Sequence, residues 1–456
     1  ARALREPRTQ RGRTAAMAAG PAYHALAGAE ESPKPRSAGI WSFHDFRCLW
    51  CTNVASFCGK VLIRLAMLQW LFEATQSSLA LGGLGLLQVF TNVPANLFGG
   101  VLADELDRKR LVGSMQAVNV ATCAAMWALS ALGAMQPWHM YLGTGVLSVT
   151  GRLEGSARNS LLKAVVPPEL IQAATTTIVV TDGVGEILAP FLFYAVTLGK
   201  SLTPAFAVAA LACVPAATLP LLIRADTRPE ESPAQDQEAG QLALAKSRLA
   251  RCQEGLSYIL HHPLLPGLYV LDWAMTVFTF YRELFPIFAA TLLASRPAWL
   301  SLRGTVALLT SLNFAGSVVG SCLVFLMHRM PHKGRQVLFA TVLYGGFCVL
   351  FGASPLWWLC ALAVFLAGAA DAIGMTVRKT VIVVTTPNNL QGRAAAGHSL
   401  AAQLANSLGQ VYVGAAIAVI GAGPTMVLGG CLTWASVAVA AWRLPALCTY
   451  AMDEPA

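Results

Sequence analysis

Gly99-Gly100-Val101-Leu102-Ala103-Asp104-Glu105-Leu106-Asp107-Arg108-Lys109-Arg110 is a border between two chemistries. Before it, residues 79–102 hold no ionisable side chain. A helix of that length reaches about 36 Å at 1.5 Å per residue, enough to cross the ~30 Å hydrocarbon core of a bilayer. After it, six of seven residues are ionisable, acids first and bases last. A second apolar run then opens at Val112. The stretch reads as a membrane span, a short charged loop and the next span.

The pattern repeats along the chain. Of 456 residues, 55% are hydrophobic and 12% charged, against about 25% charged in soluble domains. That excludes a soluble enzyme, a disordered chain and a nucleic-acid binder. Twelve apolar stretches are long enough to cross: 48–74, 79–102, 112–134, 138–158, 173–198, 203–223, 265–293, 304–327, 336–353, 356–376, 396–420 and 424–443. Turn residues separate them, as in Gln76-Ser77-Ser78, Gln136-Pro137, Ala353-Ser354-Pro355 and Gly421-Ala422-Gly423-Pro424.

The expected architecture is therefore an all-α integral membrane protein with 12 transmembrane helices in two pseudo-symmetric six-helix halves. The halves are 45–223 and 263–444. Between them, the polar segment 224–262 is a central loop whose second half, about 241–260, reads as an amphipathic surface helix. A segment rich in Ala, Gly, Pro and Ser, 1–44, precedes the first half, and a tail, 445–456, follows the second. Residues 1–16 are Arg-rich, and the reading favoured is that Met17 is the start.

Orientation follows from the bases. With the N-terminus inside, 26 of the 32 lysines and arginines fall in or beside inner loops, and Lys200, Arg296 and Arg303 fall outside. Positive charge stays on the cytoplasmic side, so both termini are expected there.

The two halves echo each other at an offset of 220 residues. Arg158, Pro167 and Leu170 recur as Arg378, Pro387 and Leu390, and Gly100 recurs as Gly320. Parallel repeats of this kind build one class of secondary transporter. Here the chain resembles the major facilitator superfamily. Its G-x-L-A-D-x-x-x-R-[KR] signature is matched by Gly100, Leu102, Ala103, Asp104, Arg108 and Lys109, with Glu105 standing where the pattern has a base. Asp45-Phe46-Arg47-Cys48-Leu49-Trp50, Phe72-Glu73-Ala74-Thr75-Gln76-Ser77, Val166-Pro167-Pro168-Glu169-Leu170 and His261-His262-Pro263-Leu264-Leu265 resemble the branch that includes the enterobactin exporter. The resemblance implies a conformational-switch loop of Gly100, Asp104, Asp107, Arg108 and Lys109. In it Arg108 joins an inner-side charge network with Arg158, and Arg378 is the counterpart of Arg158.

Ionisable residues inside spans are functional candidates. Span 1 carries Lys60 and Arg64, and span 5 carries Asp182 and Glu186, each pair spaced i, i+4 on one helix face. Counted from the inner ends, Lys60 and Asp182 lie at ~18 Å and Arg64 and Glu186 at ~24 Å, so the positive pair is expected to face the negative one. The resembling branch has an acid at the position of Lys60 and an arginine at that of Glu186, which favours a Lys60–Glu186 contact of reversed polarity. Two roles stay open: substrate and proton contacts, or a self-satisfied structural network. In span 7, Asp272 is a further candidate. Of Arg282 and Glu283, one is expected as a gate and the other as a snorkelling surface charge. Asp371 is expected to pair locally with Arg378.

Other chemistry is absent from the sequence. Tyr194 occupies the glycine position a phosphate loop needs before Gly199-Lys200-Ser201. Cys48 and Cys51 form a CxxC with no second CxxC to complete a zinc set. No cofactor or metal is expected. The expected function is secondary transport of a small organic solute, anionic or amphipathic, by proton-coupled export through alternating access. The expected form is a monomer embedded in lipid, with no nucleic-acid partner. Uptake or facilitated diffusion of another solute, and a transport-inactive scaffold or receptor, are the alternatives.

Overall fold

The computed structural model describes residues 39–199, 201–227, 257, 260–262, 265–291, 295–327, 332–387 and 391–444, with the side chains of 97–105, 392, 393, 395 and 396 excepted. The proposed surface helix at 241–260, most of the N-terminal segment and the C-terminal tail lie outside these residues. Ala1–Ser42 form one unit and Phe43–Ala456 a second, which carries thirteen α-helices among the described residues.

In the first half these are α1 (His44–Thr75), α2 (Ser78–Glu105), α3 (Arg108–Ala131), α4 (Pro137–Val165), α5 (Ile171–Val196) and α6 (Thr203–Thr218). The second half holds α7 (Leu265–Phe278), α8 (Phe285–Thr291), α9 (Leu302–Leu326), α10 (Lys333–Ala353), α11 (Trp357–Thr385), α12 (Gln391–Ile420) and α13 (Ala422–Arg443). Ten of them are long and apolar enough to cross a bilayer. The exceptions are informative. In α4 the second half carries Arg152, Glu154, Arg158 and Lys163. The expected seventh span is not one helix. It is broken into α7 and α8 around Arg282.

Helix ends follow local chemistry. Gln76 turns left-handed (φ 49°) and its amide closes on the Phe72 carbonyl, ending α1. The Asp107 carboxylate accepts the Lys109 amide at 3.2 Å and starts α3. Ser301 caps α9 through the Gly304 amide at 3.1 Å.

The repeat is built into the packing. Both ends of α4 map onto the ends of α11 at an offset of 220 residues. Within the first half α1 packs on α5 and α6, α3 on α4 and α6, and α2 on α4. The counterparts in the second half make the same pairings: α7 on α12 and α13, α10 on α11 and α13, α9 on α11. The halves meet through α2 with α12 and α5 with α9, two seams that exchange under the same correspondence. Gly316 and Gly320 let α9 press onto α11: a Cβ at Gly316 would sit 1.9 Å from the Phe365 carbonyl oxygen, and at Gly320 2.2 Å from that of Ala369.

Candidate functional site

The ionisable residues of the bundle converge on its middle. In the first half the centre is Glu154 of α4, fully buried. Lys60 Nζ donates to it at 2.5 Å, Arg158 lies 3.7 Å away, and the Ser56 hydroxyl donates at 3.2 Å, itself held by Gln116. Arg158 also donates to the Asn53 carbonyl oxygen at 2.5 Å, and the Asn53 amide donates to Asp182 at 2.6 Å. A buried carboxylate is tolerated only with partners on all sides, and here α1, α3 and α4 supply them.

This corrects the expected Lys60–Glu186 contact. Lys60 turns to α4 and Asp182 to Asn53, while Glu186 meets Arg64 at 3.4 Å. The equal i, i+4 spacing on α1 and α5 did not bring all four charges face to face, because a third helix supplies a deeper acid. Neither Glu154 nor Arg152 was among the candidates, although the Glu154–Arg158 spacing of four residues was legible. The reason is that Arg152 and Arg158 read as inner-end charges, whereas α4 continues to Val165 and carries both inside the bundle.

The second half mirrors this. Arg378, 2% exposed, binds Asp272 across α11 and α7, as Arg158 binds Asn53 across α4 and α1. Asp371 does not pair with Arg378; it takes Arg282 at 2.6 Å. Asp371 and Arg378 are seven residues apart, about two turns and roughly 10 Å along α11, so they share a face but sit too far apart to pair.

Arg282 and Glu283 owe their positions to the break between α7 and α8. The backbone leaves the helix at Thr279, and a 3-10 turn carries Arg282–Leu284. Pro286 has no amide to offer the Arg282 carbonyl, which removes one helical bond and favours a break there. The turn sends Arg282 to Asp371 and Glu283 across the seam to Arg64 at 3.6 Å. Both residues face the interior, which corrects the expectation that one snorkels. Irregular backbone at membrane depth is tolerated where it lines a cavity.

A cavity of about 520 Å³ lies between the halves, with Lys60, Arg64, Arg152, Glu186, Arg282 and Glu283 on its wall. It opens these mid-helix charges to solvent: the side chain of Arg64 is 39% exposed and that of Lys60 33%. A second cavity of about 320 Å³ runs past Asp272, Asp371, Arg378 and Lys379. Phe280 and Arg282 border both.

The loop between α2 and α3 is tied elsewhere. Asp107 accepts from the Thr227 hydroxyl, and Lys109 Nζ reaches the carbonyls of Ile223 and Ala225 at 3.1 and 3.4 Å. Asp45 accepts the amides of Arg224 and Ala225 at 3.0 and 2.8 Å. The loop thus fastens the chain leaving α6. Arg108 takes no part in the Arg158 network among the described residues. The side chains of Gly100 and Asp104 lie outside those described.

Two repeated six-helix halves around a charged cavity are the build of one transporter class, and comparison with known families gives it a name. The profile of the Major Facilitator Superfamily matches residues 49–331. The chain belongs to the major facilitator superfamily. Members are transporters, so this is a multi-pass membrane protein of secondary transport and not an enzyme. Among its relatives, the enterobactin exporter EntS of Citrobacter koseri is 25% identical over 308 residues, 65% of this chain and 67% of that one. EntS of Escherichia coli O81 is 24% identical over the same shares. Among solved structures, the nucleoside transporter NupG superposes with a TM-score of 0.65 at 14% identity, over 89% of this chain and 100% of that one. A POT family transporter in complex with 5-aminolevulinic acid gives 0.70 at 10% identity, over 89% and 97%. At such identities the superfamily structures speak for the fold alone.

Proposed function

We propose that this chain exports a small organic solute, amphipathic or anionic, by proton-coupled alternating access. The observation that carries the reading is Arg64. One guanidinium serves Glu186 of its own half at 3.4 Å and Glu283 of the other half at 3.6 Å. Both distances are long for a tight ion pair, so the guanidinium is divided between them. A proton on Glu283 removes the bond across the seam and leaves Arg64 to Glu186. An anion entering the cavity competes for the same guanidinium. Proton, substrate and half-to-half contact thereby compete for one group, which is what coupling requires.

In this reading Asp272 holds Arg378 and Asp182 holds Arg158 through Asn53, and Lys60 and Arg282 set the field of the cavity. The halves 45–223 and 263–444 rock about it. The excess of bases on the face bearing the start of α1 supports placing that face in the cytoplasm. Relatives named as enterobactin exporters support the outward direction.

The test is proton movement in proteoliposomes, read by a pH dye inside the vesicles. Aromatic carboxylates, catecholates, organic cations, lysolipids and sugars are added in turn. At least one class should move protons, and Glu283→Gln should abolish that movement while leaving binding intact. Solute flux that ignores an imposed pH gradient would refute the coupling.

A further inference from the structure

Among the charges that wall the central cavity, Arg152 stands apart. Lys60 has Glu154, Arg64 has Glu186 and Glu283, and Arg282 has Asp371. Arg152 has an amide: its Nε donates to the Asn92 carbonyl oxygen at 3.3 Å. No carboxylate reaches it among the described residues, and its two terminal nitrogens have no hydrogen-bond partner there. It sits at the middle of α4, whose ends are Pro137 and Val165, and lines the cavity. A guanidinium presents its terminal N–H groups as a fork that fits a carboxylate with two parallel bonds. Left unpaired at membrane depth, it is a cost with no structural return.

The rest of the wall says what the remainder of a ligand looks like. Leu65, Leu68, Leu147, Phe280 and Phe285 give it an apolar flank, and the volume suits a ligand of one or two rings. Asn92 is buried, lines the same cavity and accepts the Nε–H of Arg152, which leaves the terminal N–H groups of the guanidinium for a ligand.

We propose that Arg152 is the anchor for the charged end of an amphipathic organic anion, a carboxylate on an aromatic or aliphatic body. The proposal rests on the transport reading for its purpose and on the cavity alone for its chemistry. An incoming carboxylate meets Arg152 with no acid to displace, whereas at Lys60, Arg64 or Arg282 it competes with one already bound. Arg152 therefore selects for charge, and the acids around Arg64 respond to occupancy.

The experiment is binding to purified full-length protein, with naphthoate and its neutral isostere naphthamide as probes. Wild type should bind naphthoate at least about tenfold more tightly than naphthamide. Arg152→Gln should abolish that preference, and Arg152→Lys should keep part of it. The empty Arg152→Gln protein should melt no lower than wild type, because the change removes an unpaired charge; a structural arginine would give a lower melting temperature. Equal affinity of wild type for both probes, no binding of either, or an unchanged preference in Arg152→Gln overturns the proposal. The assay reads binding without flux. A protein that binds naphthoate through Arg152 yet moves nothing across a vesicle counts against the transport reading and leaves the anchor standing. A transporter that binds naphthoate without Arg152 does the reverse.

Discussion

Glu154 is the most enclosed charge among the described residues of the first half, and two cations share it. Removing one partner of a buried pair typically costs about 3–5 kcal/mol, because the other is left uncompensated. Lys60→Glu goes further and sets two carboxylates together. It should abolish accumulation of folded protein or lower its melting temperature sharply. Adding Glu154→Lys should restore part of the loss, since the two side chains face each other at 2.5 Å. Adding Glu186→Lys should restore nothing. Melting of the two double variants in detergent checks this, and equal rescue would sink the pairing. The same residues show what the sequence left hidden. The charges of α1 and α5 were legible as interior because no other charged side chain lies within two turns of either pair. Glu154 was not, because Arg152, Arg158 and Lys163 around it imitate an inner loop. A helix that carries its charges inward has the composition of one that has ended.

At the scale of elements, the close seat of α9 on α11 was readable from Gly316 and Gly320, since two small residues one turn apart let backbones touch. The seat gives a sharp contrast. Gly316→Val places a side chain where a single carbon already falls 1.9 Å from a carbonyl oxygen. Overpacking costs about 1–3 kcal/mol where neighbours can yield, and a backbone carbonyl yields little. Gly151→Val on α4 has nothing within 4 Å of its Cβ and serves as the control. The first should fail to accumulate or melt early, and the second should melt near wild type; similar melting of the two would refute the account. The break between α7 and α8 was hidden for the opposite reason. Phe278-Thr279-Phe280-Tyr281 has no glycine or proline, and hydropathy runs unbroken across it. Pro286 favours the break from beyond it, and Gly429 of α13 backs it, its Cβ position lying 2.2 Å from the Phe278 carbonyl oxygen. A tertiary contact of that kind leaves no mark in a window of twenty residues.

At the scale of the molecule, a polar clamp between halves closes the face opposite the basic one, while toward the basic side Asn96 donates to Gln403 at 2.7 Å. Arg303 at the start of α9 grips Glu73 at the end of α1 with two bonds of 2.9 Å. Beside it Arg303 reaches the Thr197 carbonyl at 3.4 Å, and deeper along the same seam Ser311 donates to the Ile187 carbonyl at 2.7 Å. The smaller cavity extends the other way, past Lys379 and Ser399 near the basic ends of α11 and α12. In the proposed alternating access, rocking of the halves breaks the clamp at one face before the cavity opens there. The Glu73 side chain is 34% exposed and that of Arg303 15%, so the pair is partly screened and worth roughly 1 kcal/mol. That is about a fivefold change in the ratio of two states. Glu73→Gln should therefore leave the fold intact and raise the rate at which a membrane-impermeant thiol reagent, applied from the clamped face, reaches a cysteine placed at Ser148 on the cavity wall. The rise should be about fivefold, with no rise for reagent applied from the basic face. A lowered melting temperature with unchanged labelling would make the clamp a brace for one arrangement and not the latch between two.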